Sequence, residues 1–568
     1  MTAAADPGAR GAGVVLTGTC VVPGIVAGPA ERMPAPPAEP PEAVCEPTAS
    51  TDEAAERIAV AAHAVHDELV AAASAASGTS AELLRTTAAM ATDPTLVTSA
   101  EALVRTERLT PERAAWVAGT ALVRQLAGLG GVLAERSRDV ADVRDRIVAA
   151  LMGRPAPGLP HPGHRFVLVA GDLAPADAAR LDPAEVAALV LGGGTTTSHT
   201  AILARALGIP TLVGVAGADE VGTGTQLVVD AGAGLVHLDP DSALVARAAA
   251  APARRRTFDG RGRTLDGHLV PLLANIGRPV EAAPAAAAGA EGVGLFRTEF
   301  CFLDRAEAPG HDEQVAAYRE VFAAFEGRKV VVRTLDAGAD KPLAFLGAHD
   351  EPNPALGLRG VRTALFAPEV LDTQLAAIAD ARDSEHADVW VMAPMVATAD
   401  EADEFVDRCA RHGLPWAGIM IEVPAAALAA GHLLRRATFA SIGTNDLTQY
   451  TMAADRLLPA LNALTTPWQP AVLALVAEAC RGAAARGRPV GVCGEAAADP
   501  ALAVVLVGLG VATLSMSSSA LADVAAALGA VPLADCERAA RRAVEAASAD
   551  EARAAARSAL PVLGDLGL

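Results

Sequence analysis

Gly418-Ile-Met-Ile-Glu-Val-Pro424 and Phe439-Ala-Ser-Ile-Gly-Thr-Asn-Asp446, with an alanine- and leucine-rich stretch between them, decide the fold. Each quoted run is short and apolar, as a strand covered on both faces must be, and each ends in polar residues; the stretch between them reads as a helix. The same rhythm recurs along the last part of the chain, with strands at Leu269–Ile276, Gly292–Arg297, Val330–Thr334, Val389–Met395, Gly418–Glu422, Phe439–Thr444, Pro489–Cys493 and Thr513–Met516. Eight strands alternating with helices over about 300 residues predict a (β/α)8 (TIM) barrel. Asn275, Arg297, Arg333, Asp336, Glu422, Asn445, Asp446 and Cys493 all fall at or just after C-terminal strand ends. That is the face on which this fold carries its chemistry; a purely structural role would scatter such residues or put them on outer helices.

Ahead of the barrel the pattern changes. Strand signals lie at Gly13 to Cys20 and Val22 to Gly28, and return at Phe166–Ala170, Ala187–Leu191, Thr211–Val215, Leu227–Asp230 and Gly234–Leu238. Between them, from about Thr51 to Met152, apolar positions recur at helical spacing, broken at Ser77-Gly78, Asp93-Pro94, Thr110-Pro111 and Gly128 to Gly131, which predicts about four to five helices. The expected chain is therefore multidomain α/β: a discontinuous α/β domain at 1–32 and 153–243, a proline-rich linker plus an inserted all-helical domain at 33–152, a connector at 244–262 and the barrel at 263–568.

A chain of 568 residues is too long for one core and should hold three to four domains. Its net charge of −21 argues against nucleic acid and anionic membranes. Seven scattered cysteines without metal-ligand spacing read as reduced thiols of a cytoplasmic protein. The start lacks the basic and apolar blocks of a signal peptide, and the longest apolar run, near Ala501 to Leu514, is glycine-broken and too short to span a bilayer. A soluble protein is expected. Of the 46 basic residues only Lys329 and Lys341 are lysine. Lys341, among other charges, is a candidate for a compact point charge on a phosphate, whereas Lys329 reads as a solvated turn residue.

A second stretch, Gly192-Gly-Gly-Thr-Thr-Thr-Ser-His-Thr-Ala-Ile-Leu-Ala-Arg205, runs from a glycine-rich turn through hydroxyls and His199 into a helical pattern. Backbone N–H groups at a helix start favour a phosphate, and His199 is placed to be bonded to one; the alternative is a histidine that merely caps a helix. In the barrel, Arg297, Arg333, Arg359 and Lys341 could converge on a small ligand carrying both carboxylate and phosphate. Glu422 and Asp446 end neighbouring strands, and Mg2+ between them would relieve their mutual repulsion beside a bound phosphate. Cys493 could protonate a carbanion or enolate, the alternative being a buried small apolar residue.

Six motifs carry a family resemblance over nearly all of the chain. They are Thr197-Ser-His-Thr200, Gly292-Val-Gly-Leu-Phe-Arg-Thr-Glu-Phe300, Val332-Arg-Thr-Leu-Asp336 with Asp340-Lys341, Asn353-Pro354 with Gly357 to Arg359, Ser441 to Thr451, and Cys493-Gly-Glu495. In this order they resemble enzyme I of the bacterial phosphoenolpyruvate:sugar phosphotransferase system. The resemblance implies that His199 takes the phosphoryl group and that Arg297, Arg333 and Arg359 bind phosphoenolpyruvate, with Asn445 and Arg456 as further contacts. It also implies Mg2+ on Glu422 and Asp446, and Cys493 as the acid that turns the enolate into pyruvate. The helical insertion would dock the phosphocarrier HPr, and the barrel would form a homodimer. The chain departs from the family at Thr195 and Thr196, where glycine and arginine are usual, at Ala174, where a threonine usually partners the active histidine, and after Arg456. A dikinase or phosphoenolpyruvate synthase would share His199 and the barrel but needs a large nucleotide-binding domain, for which this chain offers only helices. A regulatory paralogue would be free to lose the site residues that are intact here.

Overall fold

Helix-period spacing from Thr51 onward folds as α1 (Thr51–Ala75), α2 (Gly78–Ala91), α3 (Pro94–Glu107), α4 (Pro111–Leu129) and α5 (Gly131–Leu151). The breaks have local causes. Asp93 caps α3, accepting the Thr95 N–H at 2.7 Å with proline in the first turn, and α3 stops where Arg108 turns left-handed at φ 56°. Ile58, Leu69, Leu84, Leu96, Val104 and Val143 are the buried centre of this bundle. The computed structural model describes residues 14–34, 36–45, 50–75, 78–129, 131–154, 157–194, 199–250, 256–303, 305–338, 343–346, 351–456, 458–566 and 568. It divides into two compact units, Met1–Ala250 and Ala251–Leu568.

The first unit joins the bundle to an eight-stranded sheet of β1 (Val15–Thr17), β2 (Thr19–Val22), β3 (Ile25–Arg32), β4 (Phe166–Ala170), β5 (Val186–Leu191), β6 (Thr211–Val213), β7 (Gln226–Asp230) and β8 (Leu235–Leu238). Their order is β1-β8-β7-β3-β4-β5-β6-β2, parallel from β3 to β6 and antiparallel elsewhere. The one strand expected over Gly13 to Cys20 is two, divided at Gly18, and they pair at opposite edges of the sheet. A Cβ on Gly18 would lie 2.5 Å from Val215 Cγ2, so the crossing tolerates only glycine. Three helices complete the unit: α6 (Pro175–Ala178), α7 (His199–Leu207) and α8 (Ser242–Ala250). Residues expected in the connector thus partly form α8, which packs on β3.

Arg146 of α5 ties the bundle to α6. It is 1% exposed and donates to Asp142 at 2.8 Å and to Asp177 at 2.7 Å.

The second unit is a closed parallel barrel of β9 (Leu272–Ile276), β10 (Gly292–Arg297), β11 (Lys329–Arg333), β12 (Asp388–Ala393), β13 (Ala417–Ile421), β14 (Ala440–Ile442), β15 (Val490–Val492) and β16 (Thr513–Met516). All eight expected strands are present, with ends shifted by a few residues. Leu295, Val331, Met392, Met420, Phe439 and Cys493 form one buried apolar cluster, with Trp390 packed against it. Lys329 departs from expectation: it opens β11, and its Nζ lies 3.4 Å over the Trp390 ring, which stacks on Trp416. The register of β11 with β12 brings the two side chains together, so Lys329 is half-buried rather than solvated. Among the described residues no single helix is long and apolar enough to cross a membrane.

Candidate active site at the barrel mouth

Parallel strands deliver their ends and the residues that follow them to one end of the barrel, and several of those residues here are charged. Arg297 and Arg333 end β10 and β11 and stand opposite each other in the ladder. Arg333 is buried; it donates to Glu299 Oε1 at 2.7 Å and lies 3.3 Å from Asp336. Glu299 also accepts the Asp336 N–H at 3.1 Å, tying the two strand ends together. Arg359, 1% exposed, forks Asp336 with bonds of 3.1 and 3.0 Å, reaches within 3.2 Å of Asp446 Oδ1 and donates to the Tyr450 hydroxyl at 3.4 Å. Arg456 donates to the other Asp446 oxygen at 3.4 Å. Arg297 is exposed and makes no ion pair among the described residues, which leaves one cation of the mouth uncommitted.

The carboxylates are arranged differently. Glu422 follows β13 and is fully buried; its Oε1 accepts the Met395 N–H at 2.6 Å, while its Oε2 has no hydrogen-bond partner among the described residues. Asp446, in the first turn of the helix Thr444–Met452, likewise has Oδ1 without a hydrogen bond. Burial first, then the negative charges of Asp446 and Asp336, push the Glu422 carboxyl up to about 8, against the pull of Arg333. Gly443 makes room for it: a Cβ there would lie 2.7 Å from Glu422 Oε2. No group of three or more His, Cys, Asp or Glu among the described residues could by itself hold a metal ion. Two hard oxygens without hydrogen bonds nevertheless fit Mg2+, which is commonly held by one or two carboxylates together with water and substrate phosphate.

Cys493 follows β15 and is 3% exposed. Burial pushes its thiol up to about 11, opposed by a hydrogen bond from Ser441 and by Arg333 and Arg297, so it stays protonated at neutral pH. Asn445 accepts the Glu495 N–H at 3.3 Å, bracing the turn after Cys493.

The mouth therefore gathers Arg297, Arg333, Arg359, Glu422, Asn445, Asp446, Arg456 and Cys493 from the ends of β10, β11, β13, β14 and β15 and the segments that follow them. Lys341 lies outside the described residues, as do residues 195–198 and the side chain of His199, whose backbone opens α7 after Gly194 turns at φ 82°. Ala174 precedes α6 and gives it no side-chain cap. Two contributors were not foreseen from sequence. Glu299 lies inside a quoted motif, but only geometry shows its contact with Arg333. Met395 holds Glu422 through its backbone at φ 60°, a conformation rare for a bulky residue and invisible in sequence.

Family models match along the chain: "PEP-utilising enzyme, N-terminal" over residues 17–136, "PEP-utilising enzyme, mobile domain" over 162–234 and "PEP-utilising enzyme, PEP-binding domain" over 253–531. A phosphoenolpyruvate-protein phosphotransferase of Streptomyces coelicolor is 51% identical, over 88% of this chain and 91% of that relative. One from Haloferax volcanii is 42% identical, over 75% of this chain and 78% of that relative. A multiphosphoryl transfer protein of Rhodobacter capsulatus is 42% identical, over 74% of this chain and 53% of that relative.

Proposed function

The chain belongs to the enzyme I family of phosphoenolpyruvate-protein phosphotransferases, and we propose that it passes the phosphoryl group of phosphoenolpyruvate first to its own His199 and then to a histidine of the phosphocarrier HPr, as the first step of sugar uptake. Arg297, Arg333 and Arg359 bind the phosphate and carboxylate of the ligand, helped by Asn445, Arg456 and Lys341. Glu422 and Asp446 would hold Mg2+, which when bound would supply positive charge beside the ligand's phosphate. A neutral His199 nitrogen attacks phosphorus; the N–P bond forms, the bridging P–O bond breaks, and its electron pair leaves on the enolate oxygen. The Cys493 thiol then gives its proton to the enolate carbon, forming pyruvate, and the thiolate is reprotonated from water. The arginines and carboxylates do little covalent work; they position the ligand and spread its charge.

One observation carries this reading: two buried arginines and two carboxylate oxygens without hydrogen bonds share one barrel mouth. A multiphosphoryl transfer relative supports a phosphocarrier partner, for which α1–α5 are the docking surface. The barrel unit is assigned the homodimer contact, and the protein to the cytoplasm. The test is incubation with radiolabelled phosphoenolpyruvate and Mg2+, with and without HPr. Label should appear as acid-labile phosphohistidine on the chain and move to HPr, and His199→Ala should take up none. Label on the alanine variant would end the assignment of His199, and label that stays on the parent chain would end the assignment of HPr.

A further inference from the structure

A polar crossing spans the top of the barrel, beside the apolar cluster of its interior. The Ser515 hydroxyl of β16 donates to Asn275 Oδ1 of β9 at 2.6 Å. Asn275 Nδ2 donates to the Cys493 carbonyl at 3.0 Å and to the Ser515 carbonyl at 3.3 Å. The orientation of this amide is fixed by chemistry, since backbone carbonyls only accept and must face the NH2. Cys493 itself lies one residue beyond the end of three-residue β15. Its N–H donates to the Ile442 carbonyl at 3.1 Å, and Asn275 secures the opposite side of the residue. Gly294 of β10 completes the arrangement: a Cβ there would lie 2.4 Å from Ser515 Oγ. Three strands thus spend polar or missing side chains on fixing the backbone of one cysteine.

We infer that Asn275, kept in register by Ser515 and the space at Gly294, is a positioning residue that aims the Cys493 thiol at the enolate carbon. The inference rests on Cys493 being the proton donor proposed above. A displacement on the scale of 1 Å can cost a reacting pair about a hundredfold, while the arginines that bind the ligand lie on other strand ends and keep their contacts.

Pyruvate release should be measured for the full chain with phosphoenolpyruvate, Mg2+ and HPr. Asn275→Ala should lower kcat about 10- to 100-fold and change KM less than about threefold. Asn275→Asp keeps the bond to Ser515 but loses both donors, so it should be no better than alanine; rescue by aspartate would overturn the inference. Ser515→Ala leaves Asn275 in place but frees its amide, and Gly294→Ala displaces Ser515; each should lower kcat in the same sense, and parent-like kcat in both overturns it. In a Cys493→Ala background Asn275→Ala should cost nothing more. Additive losses, or a raised KM at unchanged kcat, overturn the positioning role while leaving Cys493 as donor. Unchanged turnover in Cys493→Ala alone removes the donor itself, and the inference with it.

Discussion

Among the described residues, the α5–α6 contact and the barrel mouth both bury charge, and they do so differently. In the first unit Arg146 sits between Asp142 and Asp177, and the atom left without a hydrogen bond is a guanidinium nitrogen, Nη1, with the Glu68 carboxylate 3.9 Å away. In the barrel mouth the atoms so left among the described residues include two carboxylate oxygens, Glu422 Oε2 and Asp446 Oδ1, as well as Arg333 Nε, and Arg359 lies 3.2 Å from that Asp446 oxygen. The first cluster is close to self-sufficient and holds two layers of one unit together. The second keeps two carboxylate oxygens without hydrogen bonds and carries at its rim Arg297, which makes no ion pair among the described residues, an arrangement suited to a metal and an anionic ligand. Buried charge as such does not mark function; which atoms it leaves without hydrogen bonds, and where they converge, does.

This contrast can be broken from either side. The largest effect should come from Arg146→Met, which leaves two buried carboxylates uncompensated and should cost about 3–5 kcal/mol. Hydrogen exchange should show α5 and α6 opening more readily, while each folded molecule still takes label from phosphoenolpyruvate. Loss of chemistry without loss of stability would make the Arg146 cluster a second site. Next, Glu422→Ala or Asp446→Ala should lower transfer at fixed Mg2+ by at least about a hundredfold, more than is typical of a residue that only supports a metal ligand. The requirement for Mg2+ should rise steeply and thermal stability should not fall. Parent-like metal dependence would make these carboxylates structural.

A smaller effect follows from pH. Burial, against the pull of Arg146, pushes Asp177 up to about 6 from its ordinary 3.8. Between those values the folded protein binds more protons than the unfolded chain, so the Asp177 contribution to stability falls as pH rises from about 4 to 6, by on the order of 2–3 kcal/mol. Burial raises Asp142 and Asp145 as well, so urea midpoints of parent and Asp177→Asn should both decline across that window, the parent more steeply. Parallel midpoints would mean that Asp177 ionises normally. Smallest of all is the exposed pair Arg436–Asp407, where solvent screens both charges; Arg436→Ala should leave the midpoint unchanged within error.

The barrel was legible because strands covered on both faces read as unbroken apolar runs, and their polar last residues sit where the fold puts its chemistry. Arg297, Arg333, Glu422, Asp446 and Cys493 could be picked out for that reason. What escaped depended on partners far along the chain or on backbone angles. Lys329 looked like a turn lysine because Trp390 reaches it only through strand register. Gly18 looked like part of a strand because the reason for its break is Val215, on the far side of the insertion. Met395 carries no mark in sequence of the φ that turns its N–H to Glu422.

The break at Gly18 also sets an order of assembly. Val15 pairs with His237 and Thr19 with Val213, so the earliest strands of this unit to leave the ribosome are edge strands whose partners are made among the last. Contacts of such long sequence separation form slowly, and until then two strand edges have nothing to pair with. The helices α1–α5, built from local contacts, lie between these strands and their partners in the chain. They can fold during that interval and hold the waiting segment near the place where synthesis will deliver its neighbours.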